Sequence, residues 1–207
     1  MNKCYIVSAG DFDGFYDTVD KSDLLIAADK GYIYAKDSNI ESDIVVGDFD
    51  SSNIPDGENV ITLNPIKDYT DTMAALMIAV EKGYKEIIIY GGLGGRDSHF
   101  ISNIRNALKL KKDGINVSFK SKYKKIFIID DKFTYEFKDS EENFYVSIFA
   151  LENMAKSICI RNLFYELNNY DLSFDDSLGV SNETIGKDFS ISLESGYLLV
   201  IFENKKM

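Results

Sequence analysis

The chain has 207 residues, 45% of them apolar, enough to bury a substantial core as one large domain or two small ones. Its 34 acidic residues outnumber its 23 basic ones, for a formal net charge of -11, which argues against nucleic-acid or anionic-membrane binding because no basic surplus is available to neutralise phosphates. The short apolar run at the start stops at Asp11, so no signal peptide is expected, and no run approaches the ~18 apolar residues of a membrane span; a cytoplasmic protein is the expectation.

In chain order, residues 4–7 read as a short apolar strand ending in Ser8-Ala9-Gly10, and 24–28 (Leu-Leu-Ile-Ala-Ala) as a second strand followed by Asp29-Lys30-Gly31. Tyr32, Ile33 and Ala35 open a short helix, 43–46 is a third strand, and 60–63 a fourth, closed by Asn64-Pro65. Residues 70–82 show the clearest helical period, with Met73, Leu76, Met77 and Val80 at i, i+3, i+4 and i+7 and Gly83 as the stop. Thr70 or Asp71 is the expected N-cap. The unbroken Ile-Ile-Ile within 86–90 suits a strand covered on both faces. A glycine-rich turn at 91–96 then leads into a helix over about 98–112, with Ile101, Ile104 and Leu108 as its inward stripe.

Beyond Gly114 the helical period disappears. Strands are expected at 117–119, 126–129, 133–137, 144–150, 157–160, 189–193 and 198–202, separated by turn signals such as Gly196. Cys4 and Cys159 lie in apolar strand-like runs without metal-ligand spacing and read as buried thiols in a reducing compartment. Strands alternate with helices early and stand alone late. The expected architecture is therefore an α/β domain over 1–130, a mostly parallel sheet flanked by helices, and an antiparallel β-sandwich over 131–207.

Three stretches carry chemistry. The third strand runs into Gly47 and then Asp48-Phe49-Asp50-Ser51-Ser52. In an extended chain alternate side chains share a face, so Asp48 and Asp50 can converge just past the strand end. Two ionised carboxylates about 5 Å apart repel by roughly 3 kcal/mol at an effective dielectric of ~20. A hard cation such as Mg²⁺ relieves that repulsion; a turn whose aspartates cap backbone groups is the equal alternative. The stretch Lys67-Asp68-Tyr69-Thr70-Asp71 comes second. After the fourth strand of a parallel sheet it would share a rim with Asp48 and Asp50, which favours metal, with Lys67 as a nearby basic group for a phosphate. The third is the turn at 91–96. It is neither a Walker loop nor a G-x-G-x-x-G fingerprint, because Arg96 and Asp97 stand at the deciding positions. Its four glycines nevertheless imply close backbone approach, and Arg96 supplies a planar fork for phosphate oxygens. Asp97-Ser98-His99 is not a catalytic triad, since consecutive helix positions diverge by about 100°. His99, the single histidine, orients the turn or caps the helix. A polar stretch, 179–183, contains Ser181 and Asn182, able to hydrogen-bond a heteroaromatic ring that Phe164 or Tyr165 could cover.

Taken together, Asp29-Lys30-Gly31, the 47–51 stretch, the 67–71 stretch, Gly94-Gly95-Arg96 with His99, and Ser181-Asn182-Glu183 resemble the thiamine pyrophosphokinase family in order and spacing along nearly the whole chain. The resemblance implies an ATP-binding α/β domain, a thiamine-binding β-sandwich, and Mg²⁺-dependent transfer of pyrophosphate from ATP to thiamine, giving thiamine diphosphate and AMP. It implies a homodimer with active sites between subunits. By position, Asp48, Asp50 and Asp71 match the catalytic and Mg²⁺ carboxylates, with Asp71 favoured as base. Asp29, Lys67, Asp68, Thr70, Arg96 and His99 match contacts to ATP or its phosphates, and Ser181, Asn182 and Tyr165 match contacts to thiamine. The chain departs from the family pattern where Ser98 takes the place of a usual aspartate and Asp97 stands one position earlier. Either Asp97 is a further metal ligand or the other three suffice. Gly179 and Asn162 are further departures. The alternatives are pyrophosphoryl transfer to another small alcohol, such as a hydroxymethylpterin, and a non-catalytic nucleotide- or thiamine-binding module. A D-x-D glycosyltransferase would leave the glycine turn and the β region unexplained.

Overall fold

The structure, a computed structural model, describes residues 2–49, 59–64, 66, 68–137 and 143–205. By contacts the chain divides into two units, Met1–Lys122 and Tyr123–Met207. Asp130, where the sequence pattern changes, lies in the turn after a strand of the second unit.

The first unit contains β1 (Lys3–Val7), β2 (Leu24–Ala28), α1 (Gly31–Asp37), β3 (Ile44–Gly47), β4 (Val60–Thr62), α2 (Asp71–Glu81), β5 (Glu86–Tyr90), α3 (Asp97–Lys112) and β6 (Asn116–Lys120). Its strands are ordered β6-β5-β1-β2-β3-β4, and every neighbouring pair is parallel. All five residues of β2 are buried, as expected of a strand covered on both faces. The chain lays down β1 to β4 in one direction, and the connection through α2 returns it so that β5 pairs with the other side of β1. Strand order reverses between β1 and β5, and a crevice at the carboxyl ends is the consequence.

The helices correct the expected inward stripes. In α2 the buried residues are Ala74, Ala75, Leu76 and Ala79, whereas Met77 is 49% exposed. In α3 they are Asn103, Ile104, Ala107 and Leu110, and Ile101 is 52% exposed. Alanine on the inner face lets a helix approach its neighbours closely, so small residues take inward places that a search for large apolar ones passes over. Thr70 resolves the N-cap of α2: its Oγ1 accepts from the Met73 N–H at 3.2 Å.

The second unit contains β7 (Lys124–Ile129), β8 (Lys132–Tyr135), β9 (Phe144–Ala150), β10 (Met154–Arg161), β11 (Leu167–Ser173), β12 (Asn182–Glu183), β13 (Phe189–Ser192) and β14 (Leu198–Asn204). Two antiparallel groups, β12-β9-β14-β7 and β11-β10-β13-β8, pack face to face. Their shared core holds Phe127, Ile148, Val200 and Phe202 from one group and Ile158, Leu172, Phe189 and Ile191 from the other. Tyr135 stacks on Phe189 at 5.2 Å between ring centroids. Strand β11 was not expected, because Asn168 and Asn169 obscure its alternation. It pairs with β10 through register shifts, with Ser157 at φ 54° and Asn169 at φ 50°. Cys159 is also corrected. It is half-buried on β10, where its Sγ donates to Asn169 Oδ1 at 3.2 Å; successive strand positions face opposite sides, and Ile158 and Ile160 take the buried one.

Candidate active site

At the carboxyl edge of the first sheet, β1 runs out into Ser8-Ala9-Gly10 and β5 into the glycine turn. The Ser8 N–H donates to the Tyr90 carbonyl, and the Gly10 N–H to the Gly91 carbonyl, each at 2.8 Å. This ladder brings the two loops so close that a Cβ on Gly91 would sit 2.3 Å from the Ser8 carbonyl oxygen. Gly91, Gly94 and Gly95 all have φ between 65° and 68°, a region that side-chain-bearing residues rarely adopt. Here lies a cavity of about 240 Å³. Ser8 and Gly10 form one wall, the glycine turn with Arg96 another, and His99 and Asn103 of α3 close it beside Asp29, Asp71 and Thr72. The buried Asn103 amide, a participant that sequence reasoning missed, donates to the Gly92 carbonyl at 2.9 Å and ties α3 to the turn.

Four of the expected residues thus meet at one cavity: Asp29, Asp71, Arg96 and His99. Asp29 follows β2 at φ 49°, its N–H donating to the Val46 carbonyl at 2.8 Å. Close approach at Gly31 explains its neighbour in the motif, since a Cβ there would lie 1.9 Å from the Val7 carbonyl oxygen. Arg96 is the N-cap residue of α3, and its carbonyl accepts from the His99 N–H at 2.9 Å. Thr70 caps α2. Asp68 is exposed, and Asp97 is exposed at the first position of α3; neither lines the cavity. Asp50 and Lys67 lie outside the described residues.

The Asp48 stretch is not a continued strand. β3 ends at Gly47, and Phe49 takes φ 52° with its ring buried among Ala27 and Val45. Burying that ring turns the chain at Phe49, and the strand alternation stops there. Asp48 does not line the cavity, and the described residues contain no group of three or more possible metal-ligating side chains. The donors that do line the cavity are oxygens, from the carboxylates of Asp29 and Asp71 and the hydroxyls of Ser8 and Thr72. That set fits Mg²⁺, which takes one or two carboxylates together with substrate phosphates.

Beneath the glycine turn lies a charged network. Tyr90, fully buried at the end of β5, donates its hydroxyl to Asp17 Oδ2 at 2.5 Å, and Lys120 Nζ bonds Asp17 Oδ1 at 2.8 Å. Burial pushes the Asp17 carboxyl up, but the hydrogen bonds from Lys120 and Tyr90 prevail and hold it below the ordinary carboxylate value. Burial, and then the bond to Asp17, push the Tyr90 hydroxyl far above the usual phenol value.

In the second unit Asn182 is 6% exposed. Its Oδ1 accepts from the N–H groups of Tyr165 at 2.9 Å and Glu183 at 2.8 Å, and its Nδ2 donates to the Tyr165 carbonyl at 2.6 Å. Ser181, at φ 57°, donates its N–H to Ser147 Oγ at 2.9 Å. The Tyr165 ring, 65% exposed, stands edge-on to Phe164 with centroids 4.9 Å apart. The Asn182 side chain thus braces the backbone of Tyr165, one of a pair of outward-facing aromatics.

A parallel sheet whose order reverses at a glycine turn, with an arginine and carboxylates beside it, is the architecture of an enzyme acting on phosphate groups, here joined to an antiparallel sandwich. Residues 15–119 match the family described as thiamin pyrophosphokinase, catalytic domain, and residues 134–198 match its vitamin B1 binding domain. The chain belongs to the thiamin pyrophosphokinase family. It is 29% identical over 189 residues to the thiamine pyrophosphokinase of Bacillus subtilis strain 168, covering 88% of each chain. The crystal structure of a Bacillus subtilis thiamine pyrophosphokinase superposes with a TM-score of 0.86 at 28% identity, over 98% of this chain and 99% of that one. The yeast thiamin pyrophosphokinase shares the fold, with a TM-score of 0.74 at 14% identity over 98% of this chain and 86% of that one.

Proposed function

We propose that the protein is a thiamine diphosphokinase, transferring a pyrophosphoryl group from ATP to the thiamine hydroxyl and releasing AMP. The carrying observation is the cavity at the β1–β5 reversal, where Asp71, Arg96 and the glycine turn come together, in a chain of this family. Arg96 and the turn hold the ATP phosphates, with Lys67, Asp68 and Thr70 as further phosphate contacts and Asp29 and His99 at the cavity wall. Mg²⁺ would be held by Asp71 at the cavity, the family pattern adding Asp48 and Asp50 with Asp97 as the further candidate although Asp48 and Asp97 do not line it, and would neutralise charge on the phosphates. Asp71 accepts the proton of the attacking hydroxyl. Ser181, Asn182 and Tyr165 form the thiamine subsite, Asn182 by bracing the Tyr165 backbone. The working form is a cytoplasmic homodimer with active sites between subunits, and the domains run 1–130 and 131–207.

Incubation with ATP, Mg²⁺ and thiamine should release AMP and thiamine diphosphate. Release of AMP only with another acceptor alcohol would favour the sister enzyme, and binding without release the non-catalytic module. Asp71→Asn is expected to lower turnover by about a hundredfold or more while leaving the far-UV circular dichroism unchanged. Near-normal AMP release by that variant would refute the role given to Asp71.

A further inference from the structure

The roles above leave one pair of side chains in the cavity unused. Ser8 closes β1 and is 2% exposed. Its Oγ lies 2.8 Å from Thr72 Oγ1, and Thr72 is the second residue of α2, next to Asp71. Both residues line the cavity together with Arg96 and the glycine turn. Two hydroxyls carry two protons, and the bond between them uses one. Among the described residues neither hydroxyl has another hydrogen-bond partner, so one O–H remains a donor. Ser8 is enclosed and Thr72 is half-buried. Thr72 is the more exposed of the two, so a spare proton there is met by water or a ligand more readily than one on Ser8. Either hydroxyl could be the donor in this pair; with Ser8 donating to Thr72, the Thr72 proton is the one available to the cavity. A cavity edged by a glycine turn and an arginine suits an anion, and a hydroxyl that already accepts a hydrogen bond is a stronger donor.

From this arrangement we propose that Thr72 is a nucleotide-binding residue whose hydroxyl donates to a phosphate oxygen of the pyrophosphoryl donor, and that Ser8 is the positioning residue that turns the Thr72 proton into the cavity. The inference rests on the reading of the cavity as the ATP site. It separates two jobs in the first turn of α2: Asp71 supplies negative charge, and Thr72 a neutral donor.

Thr72→Val removes the hydroxyl and keeps the shape. It is expected to weaken Mg-ATP binding, read by calorimetry, by about ten- to a hundredfold, with a matching rise in the KM for ATP and little change in that for thiamine. Thr72→Ser should restore binding to within about threefold of the unmodified protein. Ser8→Ala should weaken binding less than Thr72→Val, and the double variant should lose no more than Thr72→Val alone, because both act through one hydroxyl. Unchanged ATP affinity in Thr72→Val, additive losses in the double variant, or failure of Thr72→Ser to restore binding would each overturn the proposal, the last by marking a packing role. No AMP release from the unmodified protein sinks the functional reading and this one with it. AMP release alongside normal ATP binding by Thr72→Val sinks this inference alone.

Discussion

Gly91 shows how little room the residue scale leaves. Its φ of 65° and the 2.3 Å approach of a Cβ to the Ser8 carbonyl oxygen act together. Gly91→Ala must relieve both and is expected to cost about 1–2 kcal/mol or more, measured by urea denaturation, with weakened ATP binding. The two cysteines make a contrast that their sequence contexts hid. Burial foremost, and then the charges of Asp43 and Asp23, push the Cys4 thiol up to about 12. Native protein at pH 8 should therefore react with a thiol reagent at Cys159 and leave Cys4 unmodified until denaturation; rapid labelling of both would contradict this packing. The unfolded Cys4 thiol ionises near the ordinary thiol value of 9.0 while the folded one keeps its proton to about 12. Stability from this site is thus intact below pH 9 and falls as the pH rises above it. Phe49 teaches a similar lesson: the carboxylates on either side were legible, but the turn between them follows from where its ring is buried.

At the scale of elements, the loop after β1 is held by a carboxylate. Asp17 accepts from Tyr90 at the end of β5 and from Lys120 at the end of β6, so one side chain joins two strand ends to the segment that crosses them. Tyr90→Phe removes a buried hydroxyl donor, and a loss of about 1–2 kcal/mol is expected from thermal unfolding. The Asp17 carboxyl is held low in the folded state, so its contribution is full above the ordinary carboxylate value of about 3.9 and is lost as the pH falls through the lowered one. Asp17→Asn should accordingly destabilise the protein at pH 7, and its difference from the unmodified protein should vanish in acid; a pH-independent difference would rule out the ionic origin. Helices were located well from periodicity and oriented poorly. Leu76 and Ile104 face inward as expected, but Met77 and Ile101 face outward while alanines take the inner positions. Periodicity reports which residues share a face, and packing distance decides which face is inside.

For the whole molecule, each unit carries its own apolar clusters. Tyr5, Val7, Leu25 and Tyr90 form one in the first unit, and Phe127, Phe189 and Phe202 anchor the larger one in the second. Phe189→Ala is expected to cost about 3–5 kcal/mol in denaturant unfolding, since the ring is 2% exposed and its neighbours cannot collapse into the space. The proposed homodimer belongs to this scale too, and light scattering should return twice the chain mass.

Much was written locally. The change from alternating strands and helices to strands alone, the caps and glycine stops, the acidic stretches and the glycine turn before Arg96 could all be seen along the chain, because each depends on residues a few places apart. The pairing of β5 with β1 across the reversal of the sheet could not, nor could the contact of Ser8 with Thr72, 64 residues away. Polar strand β11 and the bracing of Tyr165 by Asn182 were equally hidden. Such features depend on which distant segment becomes the neighbour, a choice made by the summed packing of both faces of a sheet, and no single stretch of sequence carries that sum.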